Sequence, residues 1–498
     1  MTGFPWVVLV VAALAGACAR TPPEMQAIDD AAAALGGKER IQAVKTIVIE
    51  GSGDNPNIGQ NPTPDAPLNV WRVTDSTRTI DLANGRMRLR QVRAARFPFA
   101  LATVQHQTFV VDGDVALNVD DKGTATRASA GVARDRRVEM LHNPIVAVRA
   151  ALDPNTKVDN YREMRARNLQ VVDVTTVKGD RFTLAFDLTT KLPASVTTMS
   201  DNANLGDVAI ETTFSGYEDV NGLKLPKRFT TKMDKFIQAD IQVSTSTVNP
   251  GGPGSPGSVD AGDLAAPPEV KAAAVPPDVA PAIVDAQPVG KGIWWLAGSG
   301  NHRSVVFEFD DHLTLFEVPL NETRSKAVID KARTLSPKPL TEAIVSHHHF
   351  DHSGGLRTAV AEGLTIITHK ANEDFFKWLV GRPHTIVPDE LGKNPKPLKL
   401  RTMDDALTLK DKSMEVDLYL VKDNVHAGTL VMAYVPRDRI LVQADLYDAG
   451  WLQHPWGDNL KQNVEMRKLK VDKDVPIHGP IQTYAETLKT IQERLRPR

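Results

Sequence analysis

The chain has 498 residues, of which 42% are hydrophobic and 24% charged, and its formal net charge is −2. A chain of this length is too long to fold around one ordinary hydrophobic core, so two or three domains are expected. The nearly balanced charge provides no basic field that would hold nucleic acid or an anionic membrane, so no nucleic-acid partner is expected. The single cysteine, Cys18, excludes an intrachain disulfide and a cysteine metal site.

Residues 1–24 are expected to be an export signal. The apolar segment 7–17 is too short to cross a bilayer comfortably but suits the apolar region of a signal peptide. A buried N-terminal helix is disfavoured, because Pro22 and Pro23 would end it. The motif "AGAC" resembles a bacterial lipoprotein signal, so we expect an exported protein of the periplasm or cell envelope. Lipidation of Cys18, which would anchor the chain to a membrane, and simple cleavage nearby both stay open.

Residues 25–247 have the pattern of a β-rich domain. Stretches such as "KTIVIEG", "QTFVVDGDVALNVD" and "RFTLAFDLTTKLPASVTTM" alternate apolar and polar residues, with Asp-Gly and Lys-Gly-Asp turns between them. Two helical stretches interrupt them, "DDAAAALGGKERIQAV" and "PIVAVRAAL" at 144–152. We predict an α+β domain in which one or two helices pack on a curved antiparallel sheet.

The pattern "GYEDVNGLKLPKRFTTKMD" in this domain loosely resembles carriers and sensors that wrap a sheet around lipid acyl chains. A structural role is favoured over acyl-chain binding, and both stay open. The following segment, residues 248–281, is rich in Pro, Gly and Ala and has no apolar periodicity. It is predicted to be a linker.

Residues 282–498 show a different pattern. Short strands such as "GIWWLAG", "SVVFEF" and "LTLFEV" come first, and helices and strands then alternate, beginning with the helix "ETRSKAVIDKARTL" and the strand "TEAIVS". The chain closes with "VPIHG" and the helix "PIQTYAETLKTIQERL". This order predicts an α/β domain with sheets covered by helices on their outer faces.

The stretch "EAIVSHHHFDHSGGL" places four of the chain's 13 histidines on one turn. In an extended segment His347 and His349 project to one side and His348 to the other. The chain must then turn, which leaves Asp351 and His352 free to face a second point. The turn thus offers two ligands to each of two metal ions, and imidazole with carboxylate suits Zn²⁺ or a similar divalent ion.

Burial without a metal is disfavoured for this turn, because imidazoles and a carboxylate in a core need hydrogen bonds or charge compensation. A solvated histidine-rich loop stays open as the alternative for the turn taken alone.

His-x-His-x-Asp-His followed by Ser-Gly-Gly, after an apolar strand, resembles the signature of the metallo-β-lactamase fold superfamily. The resemblance covers roughly residues 290–498 and implies an αββα sandwich. It also implies three later ligands, and His426, Asp445 and His478 occur in the expected order near strand ends. By this resemblance one ion would be held by His347, His349 and His426, the other by Asp351, His352 and His478, with Asp445 bridging both.

The implied function is hydrolysis of an ester, lactone, thioester or amide bond of a small molecule by a hydroxide that bridges two divalent ions, Zn²⁺ foremost. Asp351 would also be catalytic, by orienting the water or accepting its proton. A bridging residue such as Asp445 is usual in thioesterases, lactonases and phosphodiesterases of the superfamily and usually absent from its dedicated β-lactamases.

Three alternatives stay open. The first is an iron-dependent oxygenase of the same fold, and the second is a non-catalytic envelope binding protein with a vestigial site. In the third, the N-terminal domain presents an apolar substrate to the metal cleft. Near the expected cleft, His302 and His454 are predicted to be surface residues rather than substrate contacts. Trp451 and Trp456 are predicted to pack under a loop rather than to form an apolar wall for substrate.

Overall fold

The fold is taken from a computed structural model of the protein, which describes residues 21–97, 104–251, 264–449 and 456–495. Residues 1–20, which make up most of the expected signal segment and include Cys18, lie outside the described residues, as do Trp451 and His454. No helix within the described ranges is long and apolar enough to cross a membrane.

The described part of the N-terminal domain combines four α-helices with one very long sheet. The helices are α1 (Pro23–Leu35), α2 (Lys38–Ala43), α3 (Ala130–Met140) and α4 (Pro144–Ala151). The strands are β1 (Thr46–Pro56), β2 (Val70–Asp81), β3 (Arg86–Ala95), β4 (Val104–Asp112), β5 (Val115–Val119), β6 (Ala125–Arg127), β7 (Lys157–Met164), β8 (Leu169–Thr175), β9 (Arg181–Asp187), β10 (Pro193–Asn202), β11 (Gly206–Ser215), β12 (Glu218–Val220), β13 (Leu223–Leu225), β14 (Arg228–Met233) and β15 (Phe236–Val248).

Thirteen of these strands form one antiparallel sheet in the order β6-β5-β4-β3-β2-β1-β15-β14-β11-β10-β9-β8-β7, while β12 and β13 form a separate hairpin. The first and last strands of the domain in chain order, β1 and β15, pair in the middle of this sheet, so the two ends of the domain meet there. The predicted β-rich α+β domain is confirmed. Between β1 and β2, residues 57–69 form a long loop, called here the β1–β2 loop.

The helices of this domain pack on the sheet through apolar residues, among them Ile28 and Leu35 of α1 and Ile145 of α4, which are fully buried. The single helix expected near the N-terminus is in fact two, because Gly36 and Gly37 separate α1 from α2 with positive φ angles of 122° and 106°. Pro23 is the first residue of α1, a position that suits proline because the first turn of a helix leaves backbone N–H groups unbonded and proline has none.

Part of the predicted linker, residues 248–281, packs on the N-terminal domain in the range that the structure describes. A short helix, α5 (Pro268–Ala272), lies within it; Ala266 and Val270 are buried against the sheet, and Leu264 is also buried. Apolar residues at this spacing allow one side of the segment to lie on the N-terminal domain, although its composition is that of a linker.

In its described residues, the C-terminal domain contains two sheets and seven α-helices. Its strands are β16 (Val284–Gly290), β17 (Ile293–Gly298), β18 (Ser304–Glu308), β19 (Leu313–Phe316), β20 (Leu340–Ile344), β21 (Thr365–His369), β22 (Lys399–Met403), β23 (Ala406–Lys410), β24 (Glu415–Leu420), β25 (Val431–Val435), β26 (Ile440–Gln443), β27 (Lys473–Pro476) and β28 (Gln482–Thr483). Its helices are α6 (Glu322–Arg333), α7 (Phe350–Ser353), α8 (Leu356–Ala361), α9 (Glu373–Val380), α10 (Glu390–Lys393), α11 (Gly457–Met466) and α12 (Tyr484–Leu495).

Strands β16–β22 form a seven-stranded sheet and β23–β28 a six-stranded sheet, each in sequence order. Buried residues of both sheets, such as Phe316 and Val431, form one core between them. Helices α6, α8 and α9 cover the outer face of the first sheet, and α11 and α12 cover that of the second. The predicted αββα sandwich is therefore confirmed.

The two domains contact each other beside α9. Leu205 and Val208, from the β10–β11 hairpin, join the core that lies under the outer helices of the C-terminal domain. Arg382 donates hydrogen bonds to the carbonyl oxygens of Leu205 and Asp207, each at 2.7 Å, and forms an ion pair with Asp234 at 2.5 Å. The contact thus combines apolar burial with a largely buried charge pair.

Candidate metal centre

The histidine turn follows β20, a strand inside the seven-stranded sheet, and runs into the short helix α7. His347, His348 and His349 are at most 1% exposed. The glycines after the turn allow it to approach α6 closely, because a Cβ atom at Gly355 would lie 1.8 Å from the Oγ atom of Ser325. The packing of the turn against α6 therefore fixes where its side chains point.

The three later residues lie at loops that follow strands of the second sheet. His426 lies between β24 and β25, Asp445 follows β26 and His478 follows β27. Asp445 has a φ angle of 53°, in the left-handed region that non-glycine residues seldom occupy. Such a backbone conformation is retained where the surroundings hold it, and here it directs a buried carboxylate towards the turn.

His347, His349 and His426 form the first group of potential metal ligands, with one atom from each lying within 4.8 Å of the others. Nδ1 of His349 is 3.1 Å from Nε2 of His426. Nε2 of His347 is buried and has no hydrogen-bond partner among the described residues.

Asp351, His352, Asp445 and His478 form the second group, again with ligand atoms within 4.8 Å of one another. Nε2 of His352 is 3.2 Å from Nε2 of His478 and 3.3 Å from Oδ2 of Asp351. The structure thus brings together all seven residues predicted from the sequence, in the two groups that the resemblance implied.

Asp445 lies between the two groups. Its Oδ2 atom is 2.6 Å from Nε2 of His352 in the second group. The same oxygen is 3.5 Å from Nε2 of His347 and 3.7 Å from Nε2 of His426, both in the first group. One carboxylate therefore faces both candidate metal positions.

The protonation of the imidazoles fits a cation in this centre. His349 donates from Nε2 to the carbonyl oxygen of Asn61 at 2.8 Å, and His478 donates from Nδ1 to the carbonyl oxygen of Asn301 at 2.7 Å. In a neutral ring the other nitrogen then carries a lone pair, and in both residues that nitrogen points into the centre. Converging imidazole lone pairs and carboxylates are a donor set that suits Zn²⁺ and similar divalent ions.

The pKa values of the first group favour the metal-binding form. Burial lowers the pKa values of His347 and His349 well below the usual value and also lowers that of His426, so these rings are neutral. In the second group, burial would lower the pKa of His352, but the carboxylates of Asp445 and Asp351 raise it well above the usual value. The carboxylates of Asp351 and Asp445 thus place negative charge at the second candidate position.

Other residues, which the sequence analysis did not single out, contact the ring nitrogens of the candidate ligands. Oγ of Ser346 is 2.9 Å from Nδ1 of His347, and the fully buried Glu317 places Oε1 at 3.5 Å from Nδ1 of His352. Such outer partners orient metal-binding imidazoles. Glu317 had a sequence signal, a lone carboxylate at the end of the apolar strand "LTLFEV"; Asn301 and Asn61 had none.

Three other aromatic residues lie at or near the centre. His348 is outside both groups and packs against Phe375, with ring centroids 5.9 Å apart, as its outward direction predicted. His302 is not the plain surface residue expected, because its Nε2 atom lies 3.7 Å from Oδ2 of Asp351. Trp456 is buried, as expected for packing under a loop, and donates from Nε1 to the carbonyl oxygen of Asp445 at 2.7 Å.

Comparison with known proteins relates the C-terminal domain to one family. Residues 298–446, which include the histidine turn, match the model described as the metallo-beta-lactamase superfamily. No curated protein matches the chain.

Among solved structures, the chain is similar to a metallo-beta-lactamase from Pontibacter korlensis, with 14% identity and a TM-score of 0.35 over 43% of this chain and 100% of that one. A metallo-beta-lactamase from Hirschia baltica has 15% identity and a TM-score of 0.33, over 43% and 99% of the two chains. The metallo-beta-lactamase FIM-1 from Pseudomonas aeruginosa, in its mono-zinc form, has 15% identity and a TM-score of 0.34, over 43% and 96%.

Proposed function

We propose that this chain, whose C-terminal domain has the metallo-β-lactamase fold, is a dinuclear metal-dependent hydrolase of small molecules. One observation carries the proposal: two groups of buried ligand atoms share the carboxylate of Asp445. Two divalent ions held there, with Zn²⁺ as the first candidate, would lower the pKa of a water molecule towards neutrality and polarise the scissile carbonyl.

Asp351 is the residue of the centre best placed to handle a proton. Its side chain is 25% exposed, whereas that of Asp445 is 4% exposed, so Asp351 lies nearer to solvent and to an entering substrate. Gln60 donates to its Oδ1 atom, which leaves Oδ2 to face the centre. We assign to Asp351 the binding of one ion and the transient holding of the proton that the attacking water loses.

The substrate class follows from Asp445. A carboxylate at this place is usual in the thioesterases, lactonases and phosphodiesterases of the superfamily and usually absent from its dedicated β-lactamases, so it favours an ester-type bond over the amide of a β-lactam. The bond proposed to be cleaved is therefore an ester, thioester or lactone.

The test is a comparison of Asp445→Asn with the parent and with Asp474→Asn. Asparagine tolerates the left-handed backbone at position 445, so the variant should lose the ligand and keep the fold. Asp474 is an equally buried carboxylate of the same domain outside both groups, which makes it the matched control.

Each protein is assayed for bound metal and for turnover of chromogenic esters, thioesters, lactones and cephalosporins. We expect two divalent ions per parent chain, fewer in Asp445→Asn, and a kcat/KM lower by about 100-fold or more in that variant alone. Equal turnover by Asp445→Asn and the parent would remove the catalytic role. If the protein is purified with bound iron and consumes oxygen, the proposed hydrolase is wrong and an oxygenase takes its place.

A further inference from the structure

The β1–β2 loop belongs to the N-terminal domain but reaches the metal centre of the C-terminal domain. At its base, the N–H of Asn57 donates to the carbonyl oxygen of Asn69 at 2.7 Å. Inside it, the buried side chain of Asn61 donates to the carbonyl oxygens of Pro64 and Ala66, at 3.1 and 3.3 Å. The loop is therefore held in shape by its own hydrogen bonds.

Two contacts dock this loop on the C-terminal domain. The N–H of Gly428, two residues after His426, donates to the carbonyl oxygen of Pro62 at 2.7 Å. On the other side, the ring of Phe350 lies against Gly59, where an added Cβ atom would be 2.4 Å from the ring. Gly59 also has a φ of +78°, so glycine is required there both for space and for conformation.

The docked loop sets the proton position on one candidate ligand. The carbonyl oxygen of Asn61 can only accept, so Nε2 of His349 must carry the hydrogen of their 2.8 Å bond. The lone pair of the neutral ring is then on Nδ1, the atom that lies 3.1 Å from Nε2 of His426. Without this acceptor, the ring of His349 would be free to adopt the other tautomer.

The same loop orients a second candidate ligand. Nε2 of Gln60 donates to Oδ1 of Asp351 at 2.9 Å. Oδ2 of Asp351 is thereby directed inward, 3.3 Å from Nε2 of His352 and 3.8 Å from Nε2 of His478. One loop thus acts on one ligand from each of the two groups.

We propose that the N-terminal domain completes the metal centre, with the Asn61 carbonyl and the Gln60 side chain as positioning groups for His349 and Asp351. The inference rests on the proposed metal-binding function and deepens it. It gives the β-rich domain a role at the site: the C-terminal domain holds the ligands, and the β1–β2 loop fixes their orientation. Removing or misplacing such outer partners lowers metal affinity by about 10- to 100-fold.

Two variants of the full-length chain test this role. Gly59→Ala displaces the loop, and its control is Gly85→Ala in the β2–β3 turn, where φ is +65° and an added Cβ atom meets nothing within 4 Å. Gln60→Met removes the amide at similar length, and its control is Gln91→Met, where the lost bond is to Gln107 within the sheet. Folding of each variant is checked by circular dichroism and thermal unfolding.

The readouts are the Co²⁺ absorption spectrum and the Co²⁺ affinity in competition with a chelator, neither of which depends on turnover. We expect Gly59→Ala and Gln60→Met to bind Co²⁺ at least about 10-fold more weakly and with altered spectra, and both controls to match the parent. If Gly59→Ala does not fold, the Co²⁺ affinity and spectrum of Gln60→Met alone test the positioning role of the loop.

Folded variants with the parent's affinity and spectrum would overturn the positioning role while leaving the proposed function intact. A parent that binds no Co²⁺ would overturn both proposals, so the two failures are distinguishable.

Discussion

Asp474 is a buried carboxylate whose burial raises its pKa to about 7, against hydrogen bonds from Thr487 and Gln443 that lower it. Between pH 4 and 7 the folded chain therefore keeps a proton that the unfolded chain releases. The free energy of unfolding should fall as the pH rises through this window, by about 1.4 kcal/mol per pH unit from this group. Below pH 4 its contribution is fully present, and above pH 7 it is lost.

Asp474→Asn should remove this dependence. We expect the free energy of unfolding of the variant, minus that of the parent, to increase from pH 4 to pH 7 and then level off. Denaturant titrations in the presence of a chelator measure this difference without a contribution from bound metal. A difference that stays constant with pH would show that Asp474 is ionised in the folded chain throughout.

The close approach of the histidine turn to α6 depends on Gly355. In Gly355→Ala the new Cβ atom would lie 1.8 Å from Oγ and 2.2 Å from Cβ of Ser325, so the turn or the helix must shift. We expect a loss of about 1–3 kcal/mol in the free energy of unfolding, and weaker metal binding. Adding Ser325→Gly should recover part of both losses, with Ser325→Gly alone as the control.

The sequence predicted these elements unevenly. The candidate ligands of the turn were predictable from the local spacing in "HHHFDH", and the three later candidates from the order that the family resemblance implies. The break between α1 and α2 had a local signal as well, two consecutive glycines, whose effect depends on the packing of α1. The contacts of Gln60 and Asn61 were not predictable, because their partners lie 291 and 288 positions further along the chain.

Arg382 joins the two domains. Its side chain is 14% exposed and that of its partner Asp234 is 23% exposed, so removing the guanidinium leaves a largely buried carboxylate without its cation. We expect Arg382→Ala to lower the free energy of unfolding by about 2–4 kcal/mol and to split one thermal transition into two. Calorimetry tests both expectations.

Arg333→Ala is the matched control for this prediction. Arg333 forms an ion pair with Glu362 within the C-terminal domain, with side-chain exposures of 38% and 20%. This more exposed pair should contribute less than about 1 kcal/mol, and its loss should leave the number of transitions unchanged. If Arg382→Ala and Arg333→Ala lose the same free energy of unfolding and show the same number of transitions, the ion pair between the domains stabilises the protein no more than an exposed pair does.

The long separation between Asn61 and His349 also bears on how the protein matures. Contacts between distant positions are slow to form, so we expect the loop to dock late in folding. If the histidine turn folds earlier, it can bind a metal ion while the ring of His349 still exchanges between its two tautomers. Ion capture during biosynthesis should then be reversible at first, and become tight only when the half of the chain made first settles onto the half made last.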